Sequence, residues 1–384
     1  MPPPPANSAS TPVARARSSS EPAAPRTGER AGLPKGELHW IERIRQRAAT
    51  TARGVGALRL GIGDDCAILA PPRGHEIVVT TDMSLEGRHF RRDWHPARAV
   101  GHRALARGLS DLAAMGARPL AAFLSLAIPR SVAAEETWIE GFLDGLLALA
   151  AATKTPLAGG DTAEAAGDDI TIDIVLLGAT PTGLALRRSG AQPGDRLFVT
   201  GFLGGSAAEL ATLSTKADSA PSGRAPHSSA ASSRMSGVHP TADHPHLFPQ
   251  PRLAAGQALL RRRLASACID LSDGLSTDLA HLCAASNVAA EIEAAKLPLH
   301  PLTRAQPPQT ALMSALASAL HGGEDYELLF TAPASVSIPR AIAGVPLTLI
   351  GEIRRAGRSR PLMTLIAPDG TCTPLEPGGW EHLR

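Results

Sequence analysis

Aspartate recurs in this chain beside glycine or a hydroxyl residue, at the end of an apolar run: GIGDDCAIL, VVTTDMSLEG, LSDLAAMGA, LAGGDTAEA and IDLSDGLS. These stretches supply Asp64, Asp65, Asp82, Asp111, Asp161, Asp270 and Asp273. One such aspartate is ordinary turn or cap chemistry, because its short side chain accepts hydrogen bonds from nearby backbone amides. A convergent set is different: two unit charges about 4 Å apart repel by several kcal/mol at an intermediate dielectric, so gathered acids require cations. Carboxylate and hydroxyl oxygens without a Cys–His ligand pattern point to a hard ion, and magnesium typically combines one or two carboxylates with water and phosphate oxygens. Phosphate is therefore the expected ligand. Thr80 and Thr81, just before Asp82, add hydroxyl and carbonyl oxygens, and Gly61, Gly63, Gly159 and Gly160 permit close backbone approach to a phosphate. The G-x-x-x-x-G-K-[ST] pattern of a P-loop does not occur.

The elements that must position these acids read as alternating strands and helices. EIVVTTDM, AAFLSLAI and DITIDIVLLGA have strand character, the last with Ile170, Ile172, Ile174 and Leu176 in period 2. ARAVGHRALARGLSDLAAMGA reads as a helix, as does VAAEETWIEGFLDGLLALAAAT, with Ser131 placed to cap the second. The second half repeats the theme: a strand, glycine turn and helix in GDRLFVTGFLGGSAAELATL, a helix in STDLAHLCAAS, a strand in VAAEIE, a helix in ALMSALASAL, and strands in YELLFT and LTLIGEI. The expected fold class is α/β with mixed sheets in two domains. The N-terminal domain is expected over 34–180 and the C-terminal one over 181–384, with a boundary near PTGLALRRSG.

Two segments lack this patterning. Residues 1–33, opening MPPPPANSAS, have no helical or strand period and read as a disordered tail. Residues 214–250 read as a solvated, disordered insertion, long for a loop within a domain. Composition excludes several classes. A formal net charge of +2 gives no global pull toward nucleic acid or a membrane, and Arg261, Arg262 and Arg263 read as a solvated helix face. Cys66, Cys268, Cys283 and Cys372 form no CxxC pair, which suits a reducing compartment, with Cys66 expected on a buried apolar side. The chain reads as cytoplasmic, since no apolar run reaches the ~18 residues of a membrane span and no hydrophobic signal core precedes the first charges.

In order along the chain, GIGDDCAIL, TTDMSLEGRHF, LSDLAAMGA, GGDT, RRSGAQPGD, IDLSDGLSTDL and GGEDYELLFT resemble the signature of the thiamine-monophosphate kinases. That family lies in a superfamily with aminoimidazole ribonucleotide synthetase and selenophosphate synthetase. The resemblance spans about residue 34 to the C-terminus, apart from the insertion. It implies ATP-dependent phosphorylation of thiamine monophosphate to thiamine diphosphate, an N-terminal domain that pairs with its copy in a homodimer, and several magnesium ions. By motif, it implies that Asp64, Thr80, Thr81, Asp82, Asp111, Asp161, Asp270 and Asp273 hold the metal. Asp65 points away from Asp64 if the segment is extended, because successive side chains alternate, and is expected behind the ligands. Gly160, Asp161, Arg188 and Ser272 would contact ATP, Arg187 being hard to separate from Arg188 by sequence. His89, Glu324 and Trp380 would contact the thiamine substrate. These three also admit plain structural roles, in the core, in a strand-end ion pair and in C-terminal packing.

The acceptor phosphate is already a nucleophile, so no general base is expected, and metal and electrostatic catalysis by direct in-line transfer without a phosphoenzyme is. The rival readings are another ATP-dependent enzyme of the same superfamily and a non-catalytic nucleotide-binding protein. A selenophosphate synthetase would need a reactive cysteine in a glycine-rich N-terminal segment, and none precedes Cys66.

Overall fold

Alternation of apolar and polar residues becomes a four-stranded sheet in the N-terminal half. A computed structural model describes residues 37–52, 56–218, 244–305, 313–357 and 361–380. The expected tail over 1–33, and residues 219–243 of the expected insertion, lie outside the described residues. Strand His75–Leu85 pairs antiparallel with Thr171–Pro181, which pairs antiparallel with Arg118–Ile128, which runs parallel with Leu157–Glu164. The parallel pair needs a crossover, and helix Glu136–Thr153 provides it. Ile172, Ile174 and Leu176 are buried on one face, beneath helix Ala97–Ala114. On the other face Ile77, Val79 and Met83 are 40%, 61% and 51% exposed, so a row of large apolar side chains stands uncovered within the chain.

Helix Ala97–Ala114 is buried along nearly its whole length, because it lies between this sheet, helix Glu136–Thr153 and the C-terminal half. Its contact with Glu136–Thr153 is backbone-close. A Cβ on Gly101 would stand 1.9 Å from the Phe142 carbonyl oxygen, and one on Gly145 would stand 1.8 Å from that of Arg98. Only glycine permits this approach.

The second sheet runs in the order Cys372–Pro374, Met363–Ile366, Val288–Glu293, Val345–Arg355, Arg196–Thr200, Leu328–Ala332 and Ala267–Asp270. The short strand Ala341–Ile342 pairs beside Val345–Arg355. All neighbours are antiparallel except Met363–Ile366 with Val288–Glu293. Both faces are covered, and period 2 divides the side chains between them. Phe198, Cys268, Leu328 and Phe330 join the core that includes helix Ala97–Ala114, while Leu197, Val199, Ile269 and Leu329 join a second core with helix Leu275–Ser286. Residues 34–384 accordingly form one compact unit, in which the two sheets share packing. Among the described residues, no helix is long and apolar enough to cross a membrane.

Three local expectations are corrected. Ser131 falls inside a short helix, Arg130–Ala134, and the long helix starts after Glu135, which makes no side-chain cap hydrogen bond. Cys66 is exposed: it lies in the connection between Leu58–Leu60 and Ile68–Leu69, which form only a two-stranded ribbon. The ends of the 214–250 stretch are ordered: residues 214–218 finish helix Gly205–Asp218, and His246, Leu247 and Phe248 are each 1% exposed. The cause is Glu209, a carboxylate inside the fold that accepts from the His246 amide at 2.7 Å and the Leu247 amide at 3.3 Å.

Candidate active site

Strand His75–Leu85 separates its hydroxyl and acidic residues by face. Thr80 and Asp82 turn toward helix Ala97–Ala114, whereas exposed Thr81 lies between Val79 and Met83 on the open face. The helix answers with a polar stripe, Arg103, Arg107, Ser110 and Asp111, at the spacing of one helical side. From the C-terminal half come two turns. Asp270 ends its strand and Gly274, at φ 111°, redirects the chain into helix Leu275–Ser286. Glu324 and Tyr326 hold left-handed backbone at φ 64° and 51°, an unusual state for residues with side chains.

These elements enclose a cavity of about 540 Å³, into which Asp82, His89, Asp111, Asp270, Ser272, Asp273, Glu324 and Trp380 all contribute. A smaller cavity of about 280 Å³ shares Asp111 and Asp270 with it and adds Thr80 and Arg188. Arg187 stays outside both, its carbonyl accepting from the Cys268 amide at 2.7 Å. Trp380 is held at the rim: its amide donates to the Asp273 carbonyl at 3.1 Å, and Gly379 lies so close that a Cβ there would be 2.0 Å from the same oxygen.

The remaining expected residues are not brought in. Asp64, Asp65, Gly160 and Asp161 line a separate cavity of about 910 Å³ beside Ile41, Ile44 and Phe123. Strand order explains the separation, since Asp161 sits on the sheet edge opposite to the strand that carries Asp82. Asp161 aligns with Ser125, Asp173 and Met83 across the sheet, which puts it on the open face together with Thr81. Among the described residues no three His, Cys, Asp or Glu side chains stand as a ready-made metal cluster.

The electrostatics of the cleft divide its acids into two kinds. Asp82 and Glu324 face arginines. Burial raises the Asp82 carboxyl despite Arg107 at 2.8 Å. Burial also acts against the charge of Glu324, yet Arg103, His246 and Arg107 together hold it well below the usual range. Asp111 and Asp270 instead have hydroxyl partners: Thr80 donates to Asp111, and Ser110 donates to Asp270 at 2.7 Å. Burial, then repulsion from Asp111, pushes Asp270 up to about 7, and burial raises Asp111 as well. Two carboxylates that hydroxyls alone do not neutralise form an oxygen-only donor set, which suits a hard divalent cation.

Arg103, Arg107, Ser110, Asp278 and Asp325 belong to this site and were not anticipated from sequence. Asp278 accepts from the amides of Asp273 and Gly274, each at 3.1 Å, and burial followed by Asp270 and Asp273 pushes it to about 8. Asp325 accepts from the amides of Gly204 at 2.7 Å and Ser206 at 3.3 Å, fixing the start of helix Gly205–Asp218 at the cavity wall. Arg103, Arg107 and Ser110 share one helical side at i, i+4 and i+7, but Arg98 and His102 also interrupt the apolar pattern, so spacing alone does not single them out.

Comparison with known proteins shows what the chain is similar to. The family described as AIR synthase related protein, N-terminal domain, matches residues 63–180. The chain is 40% identical over 323 residues to the thiamine-monophosphate kinase of Escherichia coli (strain K12), covering 83% of this chain and 90% of that protein. A crystal structure of thiamine-monophosphate kinase from Stenotrophomonas maltophilia K279a is 36% identical with a TM-score of 0.66, covering 87% of this chain and 96% of that one. AaThiL complexed with AMPPCP and TMP is 30% identical with a TM-score of 0.63, covering 91% and 97%.

Proposed function

The chain belongs to the thiamine-monophosphate kinase family, and on that premise we propose that it transfers the γ-phosphoryl group of ATP directly to the phosphate of thiamine monophosphate, with magnesium, in the cytoplasm. The observation that carries this reading is the single cavity in which Asp82, Asp111, Asp270, Asp273, His89, Glu324 and Trp380 meet from both halves of the chain. An oxygen of the acceptor phosphate forms the new bond to the γ-phosphorus. The bond from that phosphorus to the β,γ-bridging oxygen breaks, and ADP leaves with its electron pair. No base is needed, because the nucleophile is already an anion.

The work of the chain is to hold two mutually repelling anions in line and to keep water away. Thr80, Asp111, Asp270 and Asp273 offer the oxygens that would hold magnesium, and the ion would supply positive charge against the phosphates. Arg188, which lines the smaller cavity with Asp111 and Asp270, and Ser272 would contact ATP, while His89 and Trp380, which line the larger one, would contact thiamine. The His89 ring is fixed by the Leu85 amide, which donates to Nδ1 at 2.9 Å.

A homodimer accounts for Asp64, Thr81, Gly160 and Asp161. The open face of the N-terminal sheet, with Ile77, Val79 and Met83, is the surface we assign to pairing with a second copy. A two-fold axis along the strands would set the Asp161 edge of one copy over the Thr81 edge of the other, so that each cleft gains acids from its partner. The decisive assay is incubation of the purified protein with ATP, magnesium and thiamine monophosphate, followed by chromatography. Thiamine diphosphate without a trapped phosphoenzyme is the expected product, and a labelled protein after incubation with labelled ATP would refute direct transfer.

A further inference from the structure

Four charged side chains at the centre of the cleft balance one another. Arg107 Nε donates to Asp82 Oδ1 at 2.9 Å, its Nη2 lies 2.8 Å from the same oxygen, and its Nη1 stands 3.4 Å from Glu324 Oε1. Arg103 donates to that Glu324 oxygen at 2.7 Å, and its other contacts are the carbonyls of His89 and His246. Two guanidiniums therefore face two carboxylates, but their situations differ. The Arg103 side chain is 4% exposed and tied to three segments, which makes it a structural pin. Arg107 is 14% exposed, lines the cavity, and precedes Asp111 by one helical turn on the same wall.

A guanidinium carries five N–H donors in a planar fork. The contacts to Asp82 engage one edge of Arg107, and the contact to Glu324 is long. Glu324 keeps Arg103 if Arg107 lets go, so exchanging that long contact leaves no acid stranded. A planar fork also matches the geometry of a phosphate better than an ammonium does. We propose that Arg107 binds the phosphate of thiamine monophosphate, with Asp82 holding one edge of the guanidinium while its remaining donors face the acceptor oxygens. This rests on the functional reading above and adds a phosphate-selecting residue to it. Arg107 acts as a fixed positive charge on the acceptor side of the cleft, opposite in kind to the hydroxyl-bonded pair Asp111 and Asp270.

Equilibrium binding of thiamine monophosphate and of unphosphorylated thiamine, measured by calorimetry without ATP or divalent ions, separates phosphate recognition from pocket shape. Arg107→Met is expected to weaken the monophosphate by about ten- to a hundredfold, the worth of a charge-assisted hydrogen bond, and to leave thiamine unchanged. KM for the monophosphate should rise in step while KM for ATP holds. Because Arg107→Met strands Asp82, the pair Asp82→Asn and Asp82→Asn/Arg107→Met serves where the single variant does not fold. The first is expected to keep the preference for the phosphorylated ligand, and the second to lose it. Equal weakening of both ligands, or an undiminished preference in the double variant, overturns the assignment of Arg107. Absence of thiamine diphosphate formation by the unaltered protein would instead remove the functional reading itself.

Discussion

Replacing Asp270 with asparagine should make the metal-free protein more stable while abolishing turnover. Asp270 is 3% exposed, and its carboxyl is pushed from 3.8 to about 7 by burial and then by Asp111. An acid whose folded pKa is raised gives most stability below its unfolded value and loses it as pH rises through the folded one. For Asp270 the loss runs from about pH 4 to pH 7, and about three pKa units correspond to roughly 4 kcal/mol. Asparagine has nearly the same shape, keeps an acceptor for the Ser110 hydroxyl and carries no charge to repel Asp111. The gain over aspartate should therefore be largest at pH 8 and shrink toward pH 4. At about 2 °C per kcal/mol for a chain of this size, several degrees are expected. Differential scanning fluorimetry in EDTA at both pH values reads the stability, and a coupled ADP assay with magnesium reads the turnover. Magnesium should raise the melting temperature of the wild type more than that of the variant. An Asp270→Asn protein less stable than wild type at pH 8 in EDTA would refute the view that this acid is held at a cost and relieved by a cation.

The two threonines before Asp82 should differ sharply. Thr80→Val removes the hydroxyl that donates to Asp111 and should lower kcat by about tenfold or more, as expected for a hydrogen bond to a charged group, whereas Thr81→Val acts only through the open face. In size-exclusion chromatography with light scattering, Val79→Glu should shift the protein to monomers with loss of turnover, and a mixture of Asp111→Asn and Asp161→Asn chains should recover activity if each cleft draws acids from two copies. His102, 3% exposed and donating from Nε2 to the Pro249 carbonyl, is held at about 4 by burial. Its stabilising contribution is complete above pH 6.5 and falls by about 3 kcal/mol as pH drops to 4, so urea titrations should show a shallower decline in that window for His102→Gln. Gly101→Ala drives a Cβ to 1.9 Å from the Phe142 carbonyl and should cost several kcal/mol in the same titrations.

Most of the elements were readable because their signals are local. The period-2 run of Ile170, Ile172, Ile174 and Leu176 is the buried face of strand Thr171–Pro181, apart from Ile170 just before it; of the motif aspartates, Asp270 ends a strand, whereas Asp82 and Asp161 lie within strands and Asp111 within a helix. The two ends of the 214–250 stretch, residues 214–218 and 244–250, show the limit. Serine, proline and histidine give the stretch a solvated composition, but Glu209, several turns back on helix Gly205–Asp218, captures His246 and Leu247 and buries Phe248. Composition cannot report a partner that is distant in sequence. The same holds for Arg103 and Arg107, which read as ordinary helix charges until Asp82 and Glu324 are seen beside them.

The sequence by itself determined which residue types were available for phosphate and metal chemistry, and in which order strands and helices would present them. Tertiary structure decided which of them share a cleft. Pleating turns Thr80 and Asp82 one way and Thr81 the other, and strand order carries Asp161 to the far edge of the same sheet. Spacing along a chain fixes the direction of a side chain only within its own element. The distance between two carboxylates depends on how elements pack, and there the burial and repulsion that raise Asp270 arise.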